Sequence, residues 1–371
     1  MVIGIDIRCL GGKKLTGVGI YTFSIIKNIL ISDNINEYKL FYNSLTPLES
    51  KIRKELVQYP NVKLINKGIP NKLFNLALIL KLIKLDRVVK GVDYFWFPNL
   101  NFWSVSNKCK TIITIHDLSY KILPWAYSYK MRLWHLLVSP KKKLNKADRI
   151  IAVSENTKND LIKIYNLDDS KIIVIYPGIE LEHQGFKIED LGLPKKYILY
   201  LGTLEPRKNV ESIIQAFEEI KDPYLHLVIA GGKGWLYRRI IKSINKSSKK
   251  EQIFLLDYIH PDERWNLYQK AKMLIWPSYY EGFGFPPLEA MSQGCPVITS
   301  ANSSLPEVIG NSALLINPYN ISEIIFAINQ LLTDNELRED LITIGKEKIK
   351  KFSWQNTALE ILKLFKYENR D

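Results

Sequence analysis

The 371-residue chain has little sulfur chemistry to offer. Its three cysteines, Cys9, Cys109 and Cys295, are far apart and odd in number. That usage fits a reducing compartment, argues against a disulfide framework and gives no metal-binding spacing. They read as small buried apolar residues. No stretch reaches about 18 uninterrupted apolar residues, so no transmembrane helix is expected. The opening residues, Met1 to Asp6, enter a strand pattern with no basic leader, so no signal peptide is expected either. A G-x-x-x-x-G-K-[ST] phosphate loop is absent. Gly17-Val18-Gly19 lacks the third glycine of a dinucleotide fingerprint, and no acidic residue closes the second strand at 38–42. A nicotinamide cofactor is therefore disfavoured.

Charge is present in excess, and unevenly. The net charge is +14, yet residues 1–177 carry 28 Lys+Arg against 13 Asp+Glu, a balance of +15, and the remainder carries −1. An excess confined to the first half points to an anionic partner for that half: a lipid surface, a nucleic acid or an acidic substrate. No nucleic-acid recognition motif accompanies it, so no nucleic-acid partner is assigned.

The length favours two domains over one core. Apolar runs at 2–8, 38–42, 62–65, 93–97, 111–115, 148–153 and 172–176 read as strands, with helical patterns between several of them. A second series follows at 197–202, 225–230, 253–256, 273–276 and 296–299. Strand alternating with helix predicts an α/β chain with two doubly wound parallel sheets. The best boundary is Pro177-Gly178, which leads into an irregular acidic stretch. This gives a basic domain over 1–177, a second over 178–351, and a tail at 352–371 whose helix packs back on the first. Ile20 to Leu30 reads as a helix behind the Gly-rich stretch 11–19, and Pro261-Asp262-Glu263 opens another. Two helical patterns, 71–90 and 127–149, mix apolar with basic residues. Either fits a membrane interface or an ordinary amphipathic helix.

The most informative stretch is Pro277 to Glu289, read P-S-Y-Y-E-G-F-G-F-P-P-L-E. A strand ends, a loop with Gly282 and Gly284 follows, and a helix starts. Helix starts present unpaired amides and partial positive charge, which suits phosphate. Seventy-odd residues earlier, Arg207 and Lys208 sit between a strand end and a helix. Two cations with a helix start make a diphosphate site. Glu281 and Glu289 would repel phosphate, so they are assigned to hydroxyls. Diphosphate flanked by hydroxyls describes a nucleotide-sugar. His116-Asp117, at the end of the 111–115 strand, is a further candidate.

These residues carry a resemblance to the retaining glycosyltransferases of family 4, whose GT-B architecture has two Rossmann-like domains facing across a cleft. It covers nearly the whole chain: Gly17-Val18-Gly19, His116-Asp117, Val153-Ser154-Glu155, Glu205 to Asn209, Ala230-Gly231-Gly232, Glu281 to Glu289, and Phe352-Ser353-Trp354. The subgroup it most resembles, by Thr203 to Asn209 and Ser303 to Glu307, is the mannosyltransferases of surface-polysaccharide assembly. The resemblance implies catalytic roles for His116, Arg207, Lys208 and Glu281. It implies donor contacts at Gly17, Gly19, Asp117, Gly202, Tyr258, Gly282, Phe283, Gly284 and Leu288, with Glu289 on the ribose. The basic stretch 11–19 is longer than a minimal Gly-Gly turn, a departure from the pattern.

The expected reaction moves a hexose, mannose from GDP-mannose, to a glycan or polyprenyl-linked acceptor, with retention. A UDP-sugar donor is the alternative within the fold. An epimerase or a phosphorylase on the same fold, and a non-catalytic sugar-nucleotide-binding protein, are the alternatives from other classes. No cofactor and no metal are expected, because Arg207 and Lys208 supply the charge; Asp168-Asp169 reads as a surface turn. The basic first domain is expected to bind the acceptor and to dock on an anionic membrane, placing a cytoplasmic enzyme on the inner face.

Overall fold

The computed structural model describes residues 1–12, 15–180, 192–260 and 263–366. The acidic stretch 181–191, Lys13-Lys14, Pro261-Asp262 and the tail beyond Lys366 lie outside the described residues. The chain forms two compact units, one of Met1–Leu118, Lys130–Gly178 and Phe352–Asp371, the other of Ser119–Tyr129 and Ile179–Lys351.

The first unit holds a seven-stranded sheet of β1 (Val2–Asp6), β2 (Glu37–Tyr42), β3 (Val62–Asn66), β4 (Tyr94–Phe97), β5 (Lys110–Ile115), β6 (Arg149–Ala152) and β7 (Ile172–Val174). Their order is β3-β2-β1-β4-β5-β6-β7, and every described pairing is parallel. All four side chains of β4, Tyr-Phe-Trp-Phe, are buried. A parallel strand covered on both faces reads as an unbroken apolar run, which is why these strands were visible in the sequence. The second unit holds β8 (Tyr197–Leu201), β9 (His226–Ala230), β10 (Ile253–Leu256), β11 (Leu274–Trp276), β12 (Val297–Ser300) and β13 (Leu314–Ile316), ordered β10-β9-β8-β11-β12-β13 and likewise parallel. Both orders are the doubly wound 3-2-1-4-5-6 pattern. Each sheet reverses direction at one switch point: between β1 and β4, and between β8 and β11.

Several helices differ from expectation. The first runs Gly17–Ser32, starting three residues early, with the Thr16 hydroxyl accepting from the Gly19 amide at 3.4 Å. Gly17 and Gly19 thus lie in its first turn rather than in a loop. The 71–90 pattern is not one helix. It breaks after Asn71–Ile79, passes Lys81 at φ 59°, and resumes as Leu85–Val88. The 127–149 pattern divides into Tyr129–Val138 and Pro140–Lys146 around Ser139 at φ 53°. Proline cannot donate into the preceding turn, so the division falls there.

The final helix, Trp354–Lys366, lies along Gly17–Ser32 within the first unit. Trp354 meets the Tyr21 ring at 6.0 Å, and Phe365 meets Tyr94 at 5.6 Å. Gly178 lets the chain end return: a Cβ there would stand 2.1 Å from the Trp354 nitrogen. Among the described residues no helix is long and apolar enough to cross a membrane.

Candidate active site

At the switch point of the second unit, β8 leads into Gly202–Asn209 and β11 into Pro277–Gly284. In open α/β sheets this is where ligands bind. The two strand ends touch through an indole. A Cβ on Gly202 would come within 2.5 Å of the Trp276 ring, whose other neighbour is the stacked Tyr200 ring at 5.3 Å. Gly202 therefore serves packing in this structure: only a residue without a side chain lets Trp276 lie across it.

Trp276 organises the charges. Its Nε1 donates to Glu281 Oε1 at 3.1 Å, and Lys208 Nζ sits 4.6 Å over its ring. Pro206–Lys208 is a single 3-10 turn that turns both cations inward. It ends at Asn209, held at φ 57° by bonds from its Nδ2 to Pro318 O (2.7 Å) and from Ser212 Oγ to its Oδ1 (2.6 Å). Lys208 Nζ donates to Glu281 Oε1 at 2.5 Å. Arg207 donates to Glu281 Oε2 at 3.0 Å and to Tyr280 O at 2.6 Å, and pairs with Glu205 at 2.7 Å. All four charged groups are buried. The Glu281 carboxylate, assigned from sequence to sugar hydroxyls, is here the clasp between the two cations.

Burial acts on each of these groups. It would raise Glu281, but Lys208 and Arg207 outweigh it and bring that carboxyl down to about 2. Glu205, also desolvated and facing Glu281, is raised despite the two cations. Lys208 is lowered by burial, then by its neighbour Arg207. Two cations and two carboxylates thus share the cluster, with Glu281 held ionised by Lys208 and Arg207.

The loop carrying Glu281 is fixed by a comb of side chains from the segment after β12. Thr299, Ser300, Asn302 and Ser304 donate to the carbonyls of Trp276 (3.0 Å), Ser278 (2.7 Å), Tyr279 (3.1 Å) and Glu281 (3.0 Å). Ser303 Oγ accepts from the Glu281 amide at 3.0 Å. Gly284, at φ 109°, then caps the helix Phe285–Ser292. Pro286 and Pro287 bring no N–H, so donors at this helix start come from the Gly282–Phe285 segment. Leu288 is fully buried and its side chain presents no surface. Glu289 accepts from Tyr268 at 3.0 Å and pairs with Arg264 at 3.2 Å. A carboxylate has about four acceptor sites, so two remain for hydroxyls. Tyr258 lies half-buried beyond β10, 3.9 Å from the position a Gly232 Cβ would take.

A segment from the first half of the sequence completes this unit. Leu123 and Ala126 form a small core with Tyr280, and Trp125 meets Tyr279 at 5.4 Å. Tyr127 stacks on Trp235 at 5.3 Å, and the Trp235 indole donates to Ala126 O. Residues 119–129, expected in the 1–177 domain, thus support the tyrosine pair beside Glu281.

The first unit places His116 and Asp117 after β5. His116 Nε2 lies 2.9 Å from Pro98 O, and its ring meets Tyr21 edge-on at 4.7 Å. A carbonyl only accepts, so Nε2 carries the proton and Nδ1 is left as acceptor. Burial lowers the His116 pKa, keeping the ring neutral. Gly17 is exposed with open space where a Cβ would stand, whereas a Cβ on Gly19 would press Leu15 at 3.0 Å.

Residues 183–348 match the family "Glycosyl transferases group 1", and residues 42–183 match "Glycosyltransferase Family 4". The chain belongs to the family 4 glycosyltransferases. The glycosyltransferase is 27% identical over 369 residues to the O-antigen chain mannosyltransferase B of Escherichia coli, covering 95% of this chain and 96% of that protein. It is 25% identical to the serotype-specific mannosyltransferase WbdA of Escherichia coli across 96% of this chain, and there it spans only 45% of the relative. In fold it is similar to sucrose-phosphate synthase of Thermosynechococcus elongatus (TM-score 0.77, 20% identity, 98% of each chain). It is also similar to Anabaena HepE, solved with UDP and glucose (TM-score 0.72, 17% identity, 99% of each chain). These are GT-B structures, and the two doubly wound sheets of the glycosyltransferase share that fold.

Sequence reasoning overlooked Trp276, Glu205, Tyr268 and Arg264 as site residues of the glycosyltransferase. Trp276 closes a strand next to Pro277, and Arg264 and Tyr268 stand four apart on one helix. Both were available signals.

Proposed function

We propose that this glycosyltransferase transfers mannose from GDP-mannose, with retention and without a metal, to a glycan or polyprenyl-linked acceptor in polysaccharide synthesis. The observation that carries the reading is the Arg207–Lys208 pair, clasped by Glu281 at the switch point of the second unit. Those cations, with the Gly282–Phe285 segment, stabilise the nucleoside diphosphate as its bond to the sugar breaks. Preorganised charge of this kind is usually the largest catalytic contribution. Glu289 takes the ribose hydroxyls. Attack on the face the diphosphate leaves, with a departing phosphate oxygen taking the acceptor proton, gives retention without a protein nucleophile. The choice of mannose is supported by the likeness to the two E. coli mannosyltransferases.

Membrane docking is supported by the exposed leucines of the first unit: Leu73, Leu76, Leu80 and Leu82, and then Leu133, Leu136 and Leu137. Exposed Lys72, Lys81, Arg132, Lys141 and Lys142 accompany them. Apolar side chains ringed by cations suit an anionic lipid surface on the cytoplasmic face.

The test is release of nucleoside diphosphate from a panel of GDP-mannose, UDP-glucose and UDP-N-acetylglucosamine, with and without a lipid-linked acceptor and with chelator. Acceptor-stimulated turnover of GDP-mannose alone, unchanged by EDTA, is expected. Preference for a UDP-sugar refutes the donor, and binding without turnover refutes catalysis. Sedimentation with anionic vesicles is expected at low salt. Equal binding to neutral vesicles refutes the docking.

A further inference from the structure

The first unit carries a second cluster of cations, away from Arg207 and Lys208, with Lys143 half-buried among them. After β4 the chain runs through Phe102, Trp103, Ser104 and Val105, and three basic side chains donate to its carbonyls. Arg8 reaches Phe102 O at 2.7 Å, Lys143 reaches Trp103 O at 2.8 Å and Lys146 reaches Val105 O at 3.4 Å. Arg8 is already neutralised by Asp6 at 2.5 Å. The lysines are not: among the described residues no carboxylate pairs with Lys81, Lys143 or Lys146.

Lys143 is the unusual member. Its ammonium lies 4.5 Å over the Trp103 ring. Burial, then Arg8, Lys146 and Lys81, push its pKa down to about 7. Every charge acting on it repels it. An ammonium has three N–H donors, and one carbonyl satisfies one of them. The indole beneath it adds an independent sign. Trp103 is 5% exposed and stacked on Phe97 at 4.7 Å, and its Nε1 is buried with no hydrogen-bond partner. Buried donors are nearly always paired, and this one belongs to the indole over which the Lys143 ammonium sits. An anion with several acceptor oxygens satisfies both.

We propose that Lys143, Lys146 and the Trp103 indole N–H, with Lys81 alongside, form a binding site for a phosphate or diphosphate group on the first unit. It lies beyond β4, the strand flanking that sheet's switch point. The ligand chemistry suits an acceptor that carries its glycan on a diphosphate, so the inference deepens the transferase reading and rests on it for the ligand's role. The source could be a diphosphate or a lipid headgroup, which share the phosphate chemistry.

The test titrates the full-length protein with inorganic pyrophosphate by calorimetry at low salt, and the second unit's contribution is identified by the same titration of Lys208→Met. Wild type is expected to bind. Lys143→Gln can still donate to Trp103 O, so the loop stays tied while the charge is lost; binding is expected to weaken at least about tenfold, the usual worth of a charged hydrogen bond. Lys143→Arg is expected to retain binding, and Trp103→Phe, which keeps the stacking but not the N–H, to weaken it. Undiminished binding by both Lys143→Gln and Trp103→Phe overturns the site, as does failure of the wild type to bind pyrophosphate. Should Lys143→Gln lower the melting temperature, the exposed pair Lys81→Gln/Lys146→Gln decides: unchanged affinity there overturns the proposal. Vesicles of phosphatidylglycerol in phosphatidylcholine form the other arm. Vesicle binding displaced by pyrophosphate identifies the headgroup as a source, and binding indifferent to it identifies a diphosphate carried elsewhere. Donor turnover is read separately, so pyrophosphate binding at Lys143 without any glycosyl transfer refutes the transferase reading and leaves this site standing.

Discussion

Replacing Lys208 by methionine removes one charge and keeps most of the volume. Three consequences follow from the geometry. Glu281 loses its 2.5 Å partner but keeps Arg207 at 3.0 Å and the Trp276 N–H at 3.1 Å, so its carboxyl climbs from about 2 while staying ionised at neutral pH. The thioether can rest on the Trp276 ring where the ammonium sat, a favourable contact, so the loop geometry survives. The site then presents one cation fewer to a leaving diphosphate, with Glu281 and Glu205 still in place. Losing a preorganised partner for developing charge costs ~2.7–4 kcal/mol, about 10²–10³ in kcat. The assay is nucleoside diphosphate release under saturating donor, with donor affinity read by calorimetry and folding from the melting temperature. A kcat within about tenfold of wild type, with the fold intact, refutes the argument that Lys208 stabilises the leaving group.

Glu289→Ala is expected to raise donor KM more than it lowers kcat, since it removes hydroxyl acceptors remote from the breaking bond; a selective kcat loss in steady-state kinetics reverses that assignment. Gly202→Ala forces the Trp276 ring off its seat, and is expected to destabilise the second unit and lower kcat together, by ~1–3 kcal/mol of overpacking in a thermal melt; an unchanged melt contradicts the packing role. His116→Ala is expected to lower kcat. His116 also gives a pH signature with a definite sign: its folded pKa lies below the unfolded value, so the unfolded chain binds the proton first and stability falls as pH drops below about 6.5. His116→Gln should flatten that fall between pH 7 and pH 5 in melting curves, and an equal fall in both proteins dismisses the histidine as its source.

Much of the architecture was legible because its strands are buried on both faces. Tyr94–Phe97 and Tyr197–Leu201 announce themselves as unbroken apolar runs. Leu314–Ile316 did not, being a three-residue edge strand in which only Ile316 is buried. The amphipathic period ran on through Lys81 and Ser139, where the backbone turns left-handed, because periodicity records faces and not breaks. At the candidate site, residue types singled out Arg207, Lys208 and Glu281 but not their pairing. Repulsion from phosphate argued for Glu281 on hydroxyls, yet a carboxylate can also hold two cations together, and residue type alone does not show that pairing. Nor could linear order show that Leu123 and Ala126 pack with Tyr280, more than 150 positions later.

The packing of 119–129 bears on how this protein can be divided. The chain passes from one unit to the other after Leu118, back after Tyr129, over again after Gly178 and back a last time after Lys351. A fragment cut at the visible boundary, 179–351, would carry Glu205, Arg207, Lys208, Glu281 and Glu289 and still leave Tyr279, Tyr280 and Trp235 without their covering residues. Such a half is a poor candidate for expression or for exchange between relatives. A chimaera that swaps the donor half would have to carry 119–129 along with it, like a key left in the other half's lock.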